Sequence, residues 1–305
     1  MENPRSEPHD EITSRSAIVQ DLKALGVCPG DHLGLGVSLK SVGRLAQGPD
    51  TLIDALLEAV GDAGTLMIPT YTSMESVWKL RLGLRRTTVF APGTTPAYTG
   101  AVAEAMRARP QAVRSRHPTN SVTAIGARAD FLTRCHDERA SAYSPYSRLA
   151  EIGGKMLCIG IGDRMVGMRH EAQSLAGLLD AVPIRRGAFY RTRDGSVRLF
   201  IRRDVGGCVE TLPDLVKELR RQGLIQDGRV GLAKVTLCEA RPALQGMADM
   251  LREDPTRNLC KKMSCLWCRE LERRWGLYGR VEEPRYFQKS RVAVGLLRVF
   301  NRMRL

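Results

Sequence analysis

Lys155–Gln173 reads K-M-L-C-I-G-I-G-D-R-M-V-G-M-R-H-E-A-Q. It opens on a short apolar run, Met156-Leu157-Cys158-Ile159, bounded by Gly153-Gly154 and Gly160. Such a run between glycines predicts a buried strand. Gly160 and Gly162 then let the chain turn sharply off the sheet, because glycine takes left-handed backbone angles without a steric cost. Eight residues beyond Gly162 stands His170, followed at once by Glu171. Ligands of open α/β sheets gather where strands end. A histidine and a carboxylate there form a candidate acid/base site; the bland alternative is a surface pair or a helix-cap detail.

The chain around this stretch alternates helical and strand patterns. Ser14–Leu25 has helical spacing through Ile18, Leu22 and Leu25 and stops at Gly26. His32–Val37 is a glycine-rich apolar strand, with Ser38-Leu39-Lys40-Ser41-Val42-Gly43 as a small-residue loop at its end. Pro49–Val60 places Leu52, Ile53, Leu56, Leu57 and Val60 on one helical face, and Thr65–Pro69 is a second strand. This unit has the length of a parallel crossover. Further on, the pattern predicts a helix over Ala97–Arg109 opened by Pro96 and another over Arg148–Glu151. A hairpin over Phe189–Leu199 turns at Asp194-Gly195. A helix over Leu212–Gln222 and a late strand over Arg229–Cys238 follow. The division expected is a flexible lead (1–13), an α/β domain (14–258) and a basic, cysteine-containing helical tail (259–305).

Composition narrows the partners. The 305 residues are 43% hydrophobic and 26% charged, as in a soluble globular protein. No run reaches the ~18 apolar residues of a membrane span. A polar N-terminus without an apolar signal core predicts a cytoplasmic protein with its eight cysteines reduced. The net charge is +14, and residues 256–305 hold thirteen Lys/Arg against four Asp/Glu. Such a field favours anionic partners and disfavours a polycationic substrate. With 5% aromatic residues and no RNA- or DNA-binding signature, no nucleic acid is expected. Residues 290–305 read as a basic amphipathic helix with Val292, Leu296, Val299 and Met303 on one face. That helix could make peripheral membrane contact, cover a homodimer partner or cover the protein's own core. The spacing Cys260-x4-Cys265-x2-Cys268 echoes the first three ligands of a plant-type iron–sulfur site, or a zinc site with three cysteines. The reading adopted is three packed, reduced thiols, so no metal is expected.

Six blocks occur in a recognisable order. They are Ser38–Gly43 followed by Gly48-Pro49; Leu66–Thr72; Thr94-Thr95-Pro96; Val113–Val122 with Ile125-Gly126; Ser144-Pro145 with Leu149; and Gly153–Leu157. In these blocks the sequence resembles the aminoglycoside 3-N-acetyltransferase family, also called antibiotic N-acetyltransferases, as a divergent member. The resemblance implies a three-layer α/β/α sandwich around a mixed sheet, unrelated to the GNAT acetyltransferases. It implies acetyl-CoA as co-substrate and an amine of a small molecule, usually an amino sugar, as acceptor. It also matches His170 to the family histidine, the general base of a direct transfer in a ternary complex. An ammonium must lose a proton before it attacks a thioester, and the oxyanion that follows wants fixed N–H donors. Where the family has a glutamate three residues after that histidine, this chain has Gln173. Glu171 is the neighbouring carboxylate, and His117, in the best-matching block, either lines the cleft or pins a loop. On the cofactor side the resemblance points to Ser38, Leu39, Val42, Gly43, Thr70, Tyr71, Arg114 and Ser121. The loss of the glutamate leaves a second reading, a catalytically weak homologue that binds CoA or a partner, at a membrane through its basic tail. The charge predicts an acceptor less cationic than an aminoglycoside.

Overall fold

Two-residue alternation in the central strands sorts the side chains into two layers. The computed structural model describes residues 12–178, 185–202 and 212–260, together with 262, 264, 265, 268, 269 and 272. The elements are β1 (Ile12–Thr13), α1 (Arg15–Ala24), β2 (His32–Val37), α2 (Leu39–Val42), β3 (Arg44–Leu45), α3 (Pro49–Val60), β4 (Thr65–Pro69), β5 (Glu75–Ser76), α4 (Val77–Arg81) and α5 (Ala101–Ala108). There follow β6 (Val113–Arg114), β7 (Val122–Gly126), α6 (Ala129–Thr133), α7 (Ser144–Glu151), β8 (Lys155–Ile159), α8 (Val166–Leu175), β9 (Arg186–Arg191) and β10 (Val197–Ile201). The described chain closes with α9 (Leu212–Arg221), β11 (Gln226–Val230), β12 (Ala233–Glu239), α10 (Ala240–Glu253) and a short 3-10 turn, Pro255–Asn258.

The main sheet has seven strands in the order β11-β12-β8-β2-β4-β7-β6. Its centre, β8-β2-β4, is parallel, and the flanking pairs are antiparallel. Leu33, Leu35, Leu66, Ile68, Leu157 and Ile159 face one layer, with Ile18 of α1, Leu52 of α3 and Met106 of α5. Met67, Met156 and Cys158 face the other, with Leu149 of α7, Met168 of α8, Leu215 of α9 and Met247 of α10. The result is the expected α/β/α sandwich around a mixed sheet. Strand β2 shows why its sequence is H-L-G-L-G-V. The leucines fill one layer, and the glycines leave the other face bare. A Cβ on Gly34 would stand 2.6 Å from Leu149 Cδ2, and one on Gly36 would stand 2.5 Å from Ile161 Cδ1. A second sheet, β10-β9-β5, is antiparallel and encloses a small cluster of Phe90, Tyr190 and Phe200.

Several boundaries differ from the sequence expectation. The loop Ser38–Gly43 contains the one-turn helix α2, where Ser41 N donates to Ser38 O at 3.1 Å. Helix α5 starts at Ala101 and not at Ala97. Tyr98 N donates to Tyr71 O at 2.9 Å and Thr99 Oγ1 donates to Pro69 O, which holds that segment off the helix. Helix α7 starts at Ser144, with Pro145 in its first turn where a missing N–H costs nothing. The single late strand is instead the hairpin β11–β12, turned at Gly231 with φ +55°. The end of the lead is docked, since Ile12 and Thr13 pair with Arg44 and Leu45. The rest of the lead, and the amphipathic segment 290–305, lie outside the described residues. Among the described residues no helix is long and apolar enough to cross a membrane.

Gly160 needs both its backbone angle and its missing side chain. Its φ is +66°, and a Cβ would stand 2.3 Å from Ser41 Cβ. Gly83 has a similar φ of +68° but open space around it. Gly83→Ala is expected to lose about 1 kcal/mol from backbone strain alone, and Gly160→Ala at least twice that, as read by urea unfolding.

Candidate active site

The carboxyl ends of β2, β4 and β8 share one edge of the sheet because the three strands are parallel. Helix α3, which leads on from β2, packs on one face, and α8, which leads on from β8, packs on the other. In open α/β sheets such a change of direction marks the edge where ligands gather. Ser38 N donates to Ile159 O at 2.9 Å, and Ser41 Oγ donates to Gly160 O at 3.2 Å. The β2 and β8 exits are therefore pinned to each other.

Helix α8 is driven hard against α7. A Cβ on Gly167 would stand 2.2 Å from the Tyr146 ring. This approach buries Met168, Arg169, His170, Glu171, Ala172 and Gln173 consecutively. His170 is 3% exposed, and its Nδ1 lies 2.6 Å from Gln173 Oε1. With Oε1 as acceptor, the proton sits on Nδ1 and Nε2 is the basic nitrogen. The Tyr143 ring lies 4.8 Å from the imidazole, centroid to centroid. Burial, then the Arg169 charge, hold the His170 pKa down to about 3, with a further push from Arg202. The Gln173 hydrogen bond opposes this without reversing it.

Glu171 does not meet His170. Adjacent residues on a helix point about 100° apart, and Glu171 instead accepts a hydrogen bond from Ser147 Oγ of α7. His117 is fully buried, and its Nδ1 accepts from Thr119 N at 3.3 Å and Asn120 N at 3.0 Å. It thus pins its own turn. Its ring stacks on His136 at 4.8 Å and meets Phe200 edge-on at 5.1 Å. Burial, then the Arg202 charge, also hold its pKa down to about 3.

Arg202 ties these parts together. It follows β10, donates from Nη2 to Tyr143 Oη at 2.7 Å and lies over the Tyr143 ring at 5.3 Å. Its charge acts on both imidazoles. Neither Arg202 nor Tyr143 was a sequence candidate. Tyr143 lies in the stretch S-A-Y-S-P-Y-S beside a helix start, whereas nothing near Arg202 in sequence marks it.

The cofactor candidates separate into two groups. Ser38, Leu39, Gly43 and Tyr71 are half-buried at the sheet edge. Val42, Thr70 and Ser121 have no exposed surface, and Val42 belongs to the core. Ser121 Oγ donates to Thr70 O at 2.7 Å. Arg114 donates from Nε to Ser121 Oγ at 3.1 Å, from Nη2 to Thr70 O at 2.7 Å and from Nη1 to Thr95 O. Thr70, Ser121 and Arg114 thus bind the ends of β4 and β7 together, and their polar groups are already engaged. Beyond the Gly160 turn lies a cavity of about 480 Å³ lined by Gly162, Asp163, Arg220, Arg229 and Lys234, among others.

The chain belongs to the aminoglycoside 3-N-acetyltransferase family, whose sequence model matches residues 35–252. Aminoglycoside N(3)-acetyltransferase VII of Streptomyces paromomycinus is 32% identical over 271 residues, covering 76% of this chain and 89% of that protein. The crystal structure of aminoglycoside acetyltransferase AAC(3)-Xa superposes with a TM-score of 0.70 at 29% identity, over 80% of this chain and 94% of that one. AAC-IIIb in binary complex with CoASH superposes at 0.68 with 26% identity, over 80% and 97%. The protein is an acetyl-CoA-dependent N-acetyltransferase.

The two depressed imidazoles make stability depend on pH. Each titrates near 3 when folded against 6.5 as the unperturbed value. The unfolded chain therefore binds more protons between these values, so stability is full above pH 6.5 and falls below it. From pH 7 to pH 5 the native state should lose about 2 kcal/mol per imidazole. Urea unfolding of His117→Asn, which keeps an acceptor for the turn, should lose measurably less over that interval than wild type.

Proposed function

We propose that the protein transfers the acetyl group of acetyl-CoA to an amine of a small molecule, an amino sugar less cationic than an aminoglycoside, with His170 as general base. The observation that carries this reading is the His170 Nδ1–Gln173 Oε1 bond of 2.6 Å on α8, beside the Tyr143 ring. It presets the tautomer whose Nε2 can accept a proton. The complex of AAC-IIIb with CoASH and that of AAC-VIa with sisomicin support a crevice that takes a CoA donor and an amino-sugar acceptor.

The amine enters unprotonated. Its lone pair attacks the thioester carbonyl carbon, and the carbonyl electrons move to oxygen. The nitrogen of that adduct is positively charged and strongly acidic, so a base held at low pKa can still take its proton. His170 Nε2 accepts it, the oxyanion collapses, the C–S bond breaks and CoA leaves as thiolate. The imidazolium then returns its proton to the sulfur. Gln173 orients the ring as a carboxylate would, but it carries no charge to stabilise the transient imidazolium. Arg169 and Arg202 further oppose that cation.

The same charges favour the proposed acceptor. Arg202 acts on both imidazoles, and the whole chain carries +14. A polycation meets that field unfavourably, whereas a monoamine or an amine with an acidic substituent does not. For the donor phosphates, Arg114 is engaged, and Arg229 and Lys234 at the neighbouring cavity are the cations offered.

His170→Ala should lower kcat by roughly a hundredfold or more, with acetyl-CoA binding by calorimetry unchanged. Turnover equal to wild type would remove His170 as the base. Gln173→Glu should raise kcat and bring an acid limb into the pH–rate profile as the imidazole pKa rises. If neither wild type nor Gln173→Glu acetylates any amine of a broad panel while acetyl-CoA still binds, the CoA-binding homologue is the better reading. An aminoglycoside that saturates the enzyme well below the millimolar range would count against the less cationic acceptor.

A further inference from the structure

The cysteines of the C-x4-C-x2-C stretch converge. Sγ atoms of Cys260, Cys265 and Cys268 all lie within 4.8 Å of one another. We propose that they hold one zinc ion as three thiolates, with water in the fourth position. Zinc–thiolate bonds of about 2.3 Å set tetrahedral sulfurs roughly 3.8 Å apart, inside that limit. Ligands of a multinuclear iron–sulfur cluster bind different irons and stand wider apart.

The surroundings suit a charged centre more than packed thiols. Cys268 is fully buried and Cys260 is 5% exposed, yet their cluster is separate from both large cores. Among the described residues, Leu259 and the half-buried Cys265 pack against it. Cys265 and Cys268 are three apart at the start of a helical turn, where Arg269 N donates to Cys265 O at 3.1 Å. That spacing puts both sulfurs on one side, and Cys260 returns to face them.

The outer contacts match thiolates. Cys260 N–H donates to Cys268 Sγ at 3.1 Å, a bond that favours the ionised sulfur. Arg269, 8% exposed, donates from Nη2 to Cys260 O at 2.8 Å. A zinc ion with three thiolates and water carries one net negative charge, and the Arg269 guanidinium, which also pairs with Glu272 at 2.5 Å, lies beside it. Cys265, the most exposed of the three, leaves a side open for the water. The sequence reading adopted packed, metal-free thiols; with three protein thiolates converging, water can supply the fourth position. The site follows α10, whose Arg252 donates to Leu175 O of α8 at 2.8 Å, so the ion would fasten the tail where the catalytic domain ends.

The test is elemental analysis of the full-length chain purified without chelator, expected to show about one zinc per chain. Cys265→Ser and Cys268→Ser should each remove most of it, whereas Cys28→Ser and Cys135→Ser, exposed thiols elsewhere, should leave it in place. Should the tail variants aggregate, cobalt exchange into wild type decides. Thiolate-to-cobalt charge-transfer bands with intense tetrahedral visible bands support the site. Substoichiometric zinc with three rapidly alkylated tail cysteines overturns it, as does iron with acid-labile sulfide. Zinc unaffected by the tail variants overturns it as well. None of these readouts depends on acetyl transfer.

Discussion

The approach of α8 to Tyr146 at Gly167 is the contact on which the site depends. Any side chain at Gly167 would occupy the space of the Tyr146 ring, which is 2% exposed and cannot yield. Because α8 is pressed this close, it is buried on more than its apolar face. Six consecutive residues lose their water, and four of them are polar or charged. Buried polar groups must find partners within the protein. His170 finds Gln173 one turn on, and Glu171 finds Ser147 on α7. The His170–Gln173 geometry follows from satisfying a helix packed too tightly to remain hydrated.

That burial also sets the electrostatics. A charged imidazole would have to exist without water, beside Arg169 and within the field of Arg202. The neutral amide of Gln173 is consistent with a resting site in which the imidazole is neutral. A carboxylate in its place would stabilise an imidazolium both at rest and in the transition state. The amide does neither, so it keeps the tautomer and gives up stabilisation of the protonated base. In the proposed mechanism an imidazole of this kind suits an adduct nitrogen more acidic than the free ammonium, and it suits poorly an acceptor that arrives as a solvated ammonium.

Much of this was legible in the sequence because it is written in local periods. The run 156–159 between glycines became β8, and the glycine–leucine alternation of 32–37 became a strand with one bare face. The relation of His170 to Gln173 needed only the three-residue spacing of a helix, whereas Glu171, a candidate from sequence, turns to Ser147 on a neighbouring helix. The misses arise where distant segments decide. Tyr98 and Thr99 bond to residues at the end of β4, which delays α5 against its own propensity. Gly231 turns because Asp21 Oδ2 accepts its N–H at 2.8 Å, over 200 positions away in sequence. Arg202 reaches the histidines from a separate small sheet, and no local pattern encodes that.

Arg114 shows how a residue whose chemistry suggests a ligand contact can be engaged by the fold itself. An arginine in a loop rich in hydroxyls reads naturally as a phosphate clamp. Here its guanidinium is half-buried against the Phe90 ring at 5.2 Å and donates to Ser121, Thr70 and Thr95. Desolvation lowers its pKa to about 10, which shows how far it has left solvent. To bind a phosphate it would have to break bonds that close the end of β4 against β7. Thr70 lies directly before Tyr71, whose backbone carbonyl holds Tyr98 and whose ring meets Tyr143 edge-on at 6.4 Å. Tyr143 in turn carries Arg202 and lies against His170. Arg114 thus holds the ends of β4 and β7 behind the Tyr71–Tyr143 aromatic pair, and its guanidinium is engaged there.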